Sequence, residues 1–138
     1  MARRLADLAG SLAEPPVRLV KTIGDAAMFV SSEPTALVRV ALELVDAFDR
    51  EELPRLRAGI ASGPASVRAG DFYGKSVNLA SRVTGVARPG SVLCSREVRD
   101  AATEDFQWSS AGRHKLKGVS GQTTLYRARP AASEDTSE

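Results

Sequence analysis

A chain of 138 residues, 43% hydrophobic and 26% charged, holds enough apolar material for one domain and too little chain for several. Its 19 basic and 17 acidic residues leave a net charge of +2, which excludes the dense basic surface of a nucleic-acid binder and the charge block of an acidic tail. No apolar run reaches the roughly 18 residues a membrane span needs, Asp7, Ser11 and Glu14 spoil the start as a signal peptide, and the single Cys94 allows no internal disulfide, so a cytoplasmic protein without a membrane segment is expected.

Leu5, Leu8, Ala9 and Leu12 recur at helical spacing, and Pro15-Pro16 stops that helix. Val17 to Ile23 and Ala26 to Val30 are rich in strand formers, and the Gly24-Asp25 pair between them predicts a tight hairpin. Pro34 opens a long helix at its first turn, with an apolar stripe of Leu37, Ala41, Leu44 and Phe48 widened by Val38 and Val45. Leu56 to Ser62 reads as a strand, and a second extended segment follows Gly63-Pro64 through Val67. A helix is predicted over Gly74 to Ala87, ended by Arg88-Pro89-Gly90. Ser91 to Ser95 is a short strand in which Cys94 reads as a buried small apolar residue, and Arg96 to Ala102 a short helix. Phe106-Gln107-Trp108 and Thr124 to Arg127 are strand-like, while Pro130 to Glu138 is small, polar and expected to be disordered. Helices alternating with hairpins predict an α+β domain whose sheet is covered on one side by helices.

Two constellations carry chemistry. In Lys21-Thr22-Ile23-Gly24-Asp25, the carboxylate of Asp25 projects from a hairpin tip, where a hard cation such as Mg²⁺ could take it together with phosphate oxygens. The plainer reading is a turn aspartate, and for Lys21 an edge-strand charge that blocks aggregation. In Asp71-Phe72-Tyr73-Gly74-Lys75-Ser76-Val77-Asn78-Leu79-Ala80-Ser81-Arg82, Asn78 and Arg82 stand four apart and share one face of the predicted helix. The guanidinium is a planar fork suited to phosphate oxygens, and the amide can hold a hydroxyl. A solvated helix face is the alternative. His114, the lone histidine, is read as a surface residue without a catalytic role.

Taken together, Lys-x-x-Gly-Asp on a hairpin and Asp-x-Tyr-Gly-x-x-Val-Asn-x-Ala-Ser-Arg downstream resemble the class III nucleotidyl cyclase catalytic domain, in its bacterial adenylyl cyclase form of the actinobacterial type. The likeness runs from about Val17 to Arg129 and includes Arg57-Ala58-Gly59-Ile60-Ala61-Ser62-Gly63 and Leu116-Lys117-Gly118-Val119. It implies the fold of that family, a ferredoxin-like βαβ-type antiparallel sheet with flanking helices, divided as 1–16 N-terminal helix, 17–129 catalytic domain and 130–138 disordered tail. It implies conversion of ATP to 3′,5′-cyclic AMP and pyrophosphate in a homodimer or heterodimer, with two Mg²⁺ or Mn²⁺ ions per site. By the same resemblance Asp25 is a metal ligand, Asn78 orients the ribose and Arg82 stabilises the α-phosphate. Lys21 and Asp71 select the base, and Lys117 is a candidate for the triphosphate. Adenine offers an acceptor at N1 and a donor at its N6 amine, which an ammonium and a carboxylate complement. Guanine reverses the pattern, so ATP is expected over GTP.

The family's first strand carries a second metal aspartate. Asp7-Leu8-Ala9-Gly10 echoes that motif but lies too near the hairpin and lacks its flanking Phe residues. A fold short of that strand, with an open sheet edge, is therefore expected. Three accounts of it compete: a fragment or late start, a degenerate gene, or a chain that pairs with a complete cyclase. The functional alternatives are a non-catalytic nucleotide-binding or regulatory module and an α+β interaction domain in which both motifs are coincidence.

Overall fold

The computed structural model describes residues 1–131; the tail expected to be disordered lies, from 132 onward, outside the described residues. Its elements are α1 (Ala2–Leu12), β1 (Val17–Ile23), β2 (Ala26–Ser31), α2 (Pro34–Arg50), β3 (Ala58–Ile60), β4 (Ser66–Arg68), β5 (Asp71–Tyr73), α3 (Lys75–Val86), β6 (Val92–Cys94), α4 (Arg96–Ala101), β7 (Phe106–Lys115) and β8 (Gln122–Pro130). Pro130, assigned to the tail from the sequence, is instead the last residue of β8, opposite Phe106 of β7.

Four strands form one sheet in the order β3-β6-β8-β7, with β3 parallel to β6 and the other pairs antiparallel. The expectation of helices on one side only is corrected. Val92-Leu93-Cys94 is an unbroken apolar run, and all three residues are buried, so alternation of side chains sends apolar groups to both faces. Val92, Cys94 and Ala128 meet Val38 of α2 and Val98 of α4, whereas Leu93 and Leu125 meet Val83 and Ala87 at the end of α3. Each face thus has its own helical cover.

The hairpin β1-β2 forms a separate two-stranded sheet. Gly24 at φ +56° takes the first position of its two-residue turn, where a left-handed residue matches the twist of the strands. A third cluster holds the hairpin down: Ala27 and Phe29 pack on buried Leu5 of α1 and Leu44 and Phe48 of α2. Arg4 adds two hydrogen bonds to Glu51, Nε to Oε1 at 2.8 Å and an η nitrogen to Oε2 at 2.6 Å. Helix α2 is long enough to serve both the hairpin and the four-stranded sheet.

Between these two sheets lies a cleft of about 1240 Å³, with β2 along one side and β3 along the other. Leu37, Val40, Ala41 and Leu44 of α2 floor it, and Val77, Asn78 and Ala80 of α3 line it too. Among the described residues β2 pairs only with β1, and β3 only with β6, so each presents one open edge.

Candidate active site

The hairpin β4-β5 has no Asn-Gly or Asp-Gly pair at its turn, yet it carries Asp71. Ala69 at φ +50° and Gly70 at φ +80° give both turn residues the left-handed torsions of a tight primed turn. Ala69 bears the strain of that conformation, and its presence disguises a turn that Asn-Gly would have announced. Arg68 pairs with Asp71 across it.

That small hairpin leans on β1 through side chains. The Lys21 ammonium donates to Asp71 Oδ2 at 2.5 Å, linking positions 50 residues apart. Asp71 Oδ1 accepts the Phe72 backbone N–H at 2.8 Å. The Arg18 guanidinium lies 5.3 Å from the centre of the Phe72 ring, a cation–π contact of the kind that positions a loop rather than driving folding. Hydrogen bonding from Lys21 first, and from the Phe72 N–H second, holds the Asp71 carboxyl below its ordinary value against the opposing effect of burial. The two base-selecting candidates are therefore neighbours within one chain, with one charge of each sign and both partly open to solvent.

Asn78 and Arg82 are exposed on α3, as their spacing predicted, while Val83 beside them is fully buried. Asp25 is exposed at the turn of the first hairpin. It shares the cleft between β2 and β3 with Asn78, whereas Lys21, Asp71 and Arg82 do not line that cleft. Lys117 lies apart from it, in an open hollow formed by Lys115 to Ser120. The six candidates thus fall into three places: an ion pair, a cleft wall with a helix face beside it, and a separate loop.

Among the described residues, Asp25 is the only acidic residue lining the cleft. Among the described residues no three His, Cys, Asp or Glu side chains are grouped to hold a metal. One carboxylate suits a Mg²⁺ or Mn²⁺ ion that also takes phosphate oxygens and water. Among the described residues that line the cleft, no second carboxylate joins it. His114 is half-buried, with Nε2 2.7 Å from the Ala111 carbonyl oxygen.

The comparisons with known proteins agree with this architecture. The family model described as "Adenylate and Guanylate cyclase catalytic domain" matches residues 3–128. The pH-sensitive adenylate cyclase of Mycobacterium tuberculosis is 50% identical over 139 residues, an alignment covering 96% of this chain and 35% of that protein. An adenylate cyclase of Streptomyces griseus is 43% identical over 76 residues, covering 54% of this chain and 19% of that one. The chain thus spans about a third of the length of the first relative and less of the second. Among solved structures, the adenylate/guanylate cyclase/hydrolase from Silicibacter pomeroyi superposes with a TM-score of 0.76 at 27% identity, over 94% of this chain and 81% of that one. The guanylate cyclase domain of RhGC from Catenaria anguillulae, in complex with GTP, gives a TM-score of 0.83 at 23% identity, over 94% and 82%.

Proposed function

The chain belongs to the adenylate and guanylate cyclase catalytic-domain family, and on that footing we propose that it recognises ATP and helps convert it to 3′,5′-cyclic AMP and pyrophosphate as one half of a two-chain site. The observation that carries the choice of ATP is the Lys21–Asp71 pair. An ammonium and a carboxylate held side by side present one donor and one acceptor to a purine edge. Lys21 donates to adenine N1, and Asp71 accepts from the N6 amine. Against guanine each would face a group of its own kind, and each such unsatisfied contact costs about 1–3 kcal/mol.

In the reaction the ribose 3′-oxygen attacks the α-phosphorus, its proton passes to solvent water, and the bond to the pyrophosphate oxygen breaks, so that pyrophosphate leaves with the bonding pair. Asn78 orients the ribose, and Arg82 spreads its charge over the crowded α-phosphate. The exposure of both on α3 leaves them open to a nucleotide held partly by a second chain. Lys117 would reach the triphosphate from its loop. A divalent ion, when bound, neutralises phosphate charge, and Asp25 is the residue of this chain that would hold it.

The isolation of Asp25 among cleft-lining acids favours one second reading, in which the chain is the incomplete half of a heterodimer and supplies Lys21, Asp71, Asn78 and Arg82 to a partner cyclase. Cyclic AMP formation from Mn²⁺-ATP and nucleotide affinity test both. Lys21→Ala is expected to weaken ATP binding by roughly 5- to 150-fold, the span of one lost buried polar contact, and to narrow the preference for ATP over GTP. A chain silent alone that restores cyclic AMP formation to a cyclase lacking its own counterpart of Arg82 supports the heterodimer. Equal affinity for ATP and GTP before and after the substitution would rule out the base-reading role.

A further inference from the structure

We propose that Gly59 is a positioning residue: the absence of a side chain at the centre of β3 lets α3 lie directly on the strand, and that seating sets where Asn78 and Arg82 stand. The inference rests on the functional reading above. A Cβ at Gly59 would come 2.6 Å from Thr84 Oγ1 and 2.7 Å from the Ala80 carbonyl oxygen, and closer still to the Thr84 backbone nitrogen. Two of these three obstacles are backbone atoms, which no rotamer change can remove. Gly59 is in β3 and is not among the positive-φ residues, so what the position demands is space rather than an unusual torsion.

When something must yield, it is the helix. Gly59 pairs with Leu93, its neighbours Ala58 and Ile60 pair with Val92 and Cys94, and Ile60 is buried in the core under α2. The strand is held along one edge by β6 and on one face by the α2 cluster. On α3, Thr84 Oγ1 is turned back onto the Ala80 carbonyl at 2.8 Å, so the turn facing the strand is already closed on itself. Ordinary contact begins near 3.4 Å, so relieving the overlap lifts α3 by most of an ångström. Asn78 and Arg82 lie two positions before Ala80 and two before Thr84, about 200° around the helix from those contact points. Neither is among the three contact points, and both move with the lift. The side chains of Lys21 on β1 and Asp71 on β5 are bonded to each other, and Asp71 Oδ1 to the Phe72 N–H, rather than to α3.

A misplacement of about 1 Å in a reacting geometry can cost on the order of 100-fold. The test is a double-mutant cycle on the full chain, reading ATP and GTP dissociation constants in Mn²⁺ together with cyclic AMP formation. Arg82→Ala and Gly59→Ala are each expected to lower ATP affinity about tenfold, and the double variant by clearly less than the product of the two, because part of the Gly59 effect runs through Arg82. The ATP-to-GTP ratio should be unchanged by Gly59→Ala. Additive losses, or an altered base preference, overturn the proposal while leaving the functional reading intact. Wild-type behaviour of Arg82→Ala instead sinks that reading and this proposal with it. Should Gly59→Ala show no cooperative thermal transition, Thr84→Leu presses on the same contact from the helix side; if that variant is also unfolded, the glycine is needed for folding alone and the positioning role is lost.

Discussion

The Lys21–Asp71 contact, proposed above to read the base, also ties Asp71 to pH. Its carboxyl is held down chiefly by the Lys21 ammonium, so the pair is intact above the ordinary carboxylate value near 3.9 and opens as pH falls through the lower folded value. Stability from this contact is thus complete at neutral and mildly acidic pH and vanishes only below it. In Lys21→Met the Asp71 midpoint should rise toward the ordinary value, as followed by the carboxyl carbon shift in an NMR titration. An unmoved midpoint would mean that the Phe72 N–H alone sets it. The residue types of this pair were readable in the sequence, but their contact was not. Fifty positions separate them, and the turn that aims Asp71 is built on Ala69, a residue that gives no turn signal.

At the scale of elements, α2 is the shared support of hairpin and sheet. Val38 serves one cluster, and Leu44 and Phe48 another. Phe48 is 0% exposed, and truncating a fully buried Phe typically costs 3–5 kcal/mol. Phe48→Ala should lower the urea midpoint accordingly, and amide exchange should quicken in β1 and β2 before it does in β7 and β8. Uniform quickening would show that the hairpin and the sheet open as one unit. The stripe of α2, the first hairpin and the helix bearing Asn78 and Arg82 were all legible, because periodicity of 3.6 or 2 is a local property. The lengths of β7 and β8 were not. Ser109, Ser110, Gly112 and Arg113 hide a strand that only its partner makes regular, and the register shifts between Ser110 and Arg113. The two-sided cover of β6 was encoded in Val92-Leu93-Cys94, whose continuity was the available sign.

For the molecule as a whole, the cleft between β2 and β3 divides strong from weak. β8 is flanked by β6 and β7, and its Leu125 is fully buried, whereas β2 and β3 each have one open edge among the described residues. Amides of β2 and β3 should exchange more than tenfold faster than those of β8, the factor given by about 1.4 kcal/mol of lower local stability. Equal protection would mean the cleft is closed in solution. The resemblance had implied a fold short of one strand, with an open sheet edge; among the described residues the hairpin and the four-stranded sheet are separate sheets. In the two-chain site proposed above, the meeting point of the ion pair, Asp25 and Lys117 with a nucleotide is not a property that one chain's sequence carries.

Cys94 is fully buried at the centre of the sheet, and burial pushes its thiol up to about 12. Little thiolate exists near neutrality, so maleimides and similar electrophiles find nothing to attack in the folded protein. A cysteine introduced at an outward position such as Ser81 would consequently be the lone target for a fluorophore or spin label, and the chain can report on its own helix movements without first being stripped of its native sulfhydryl.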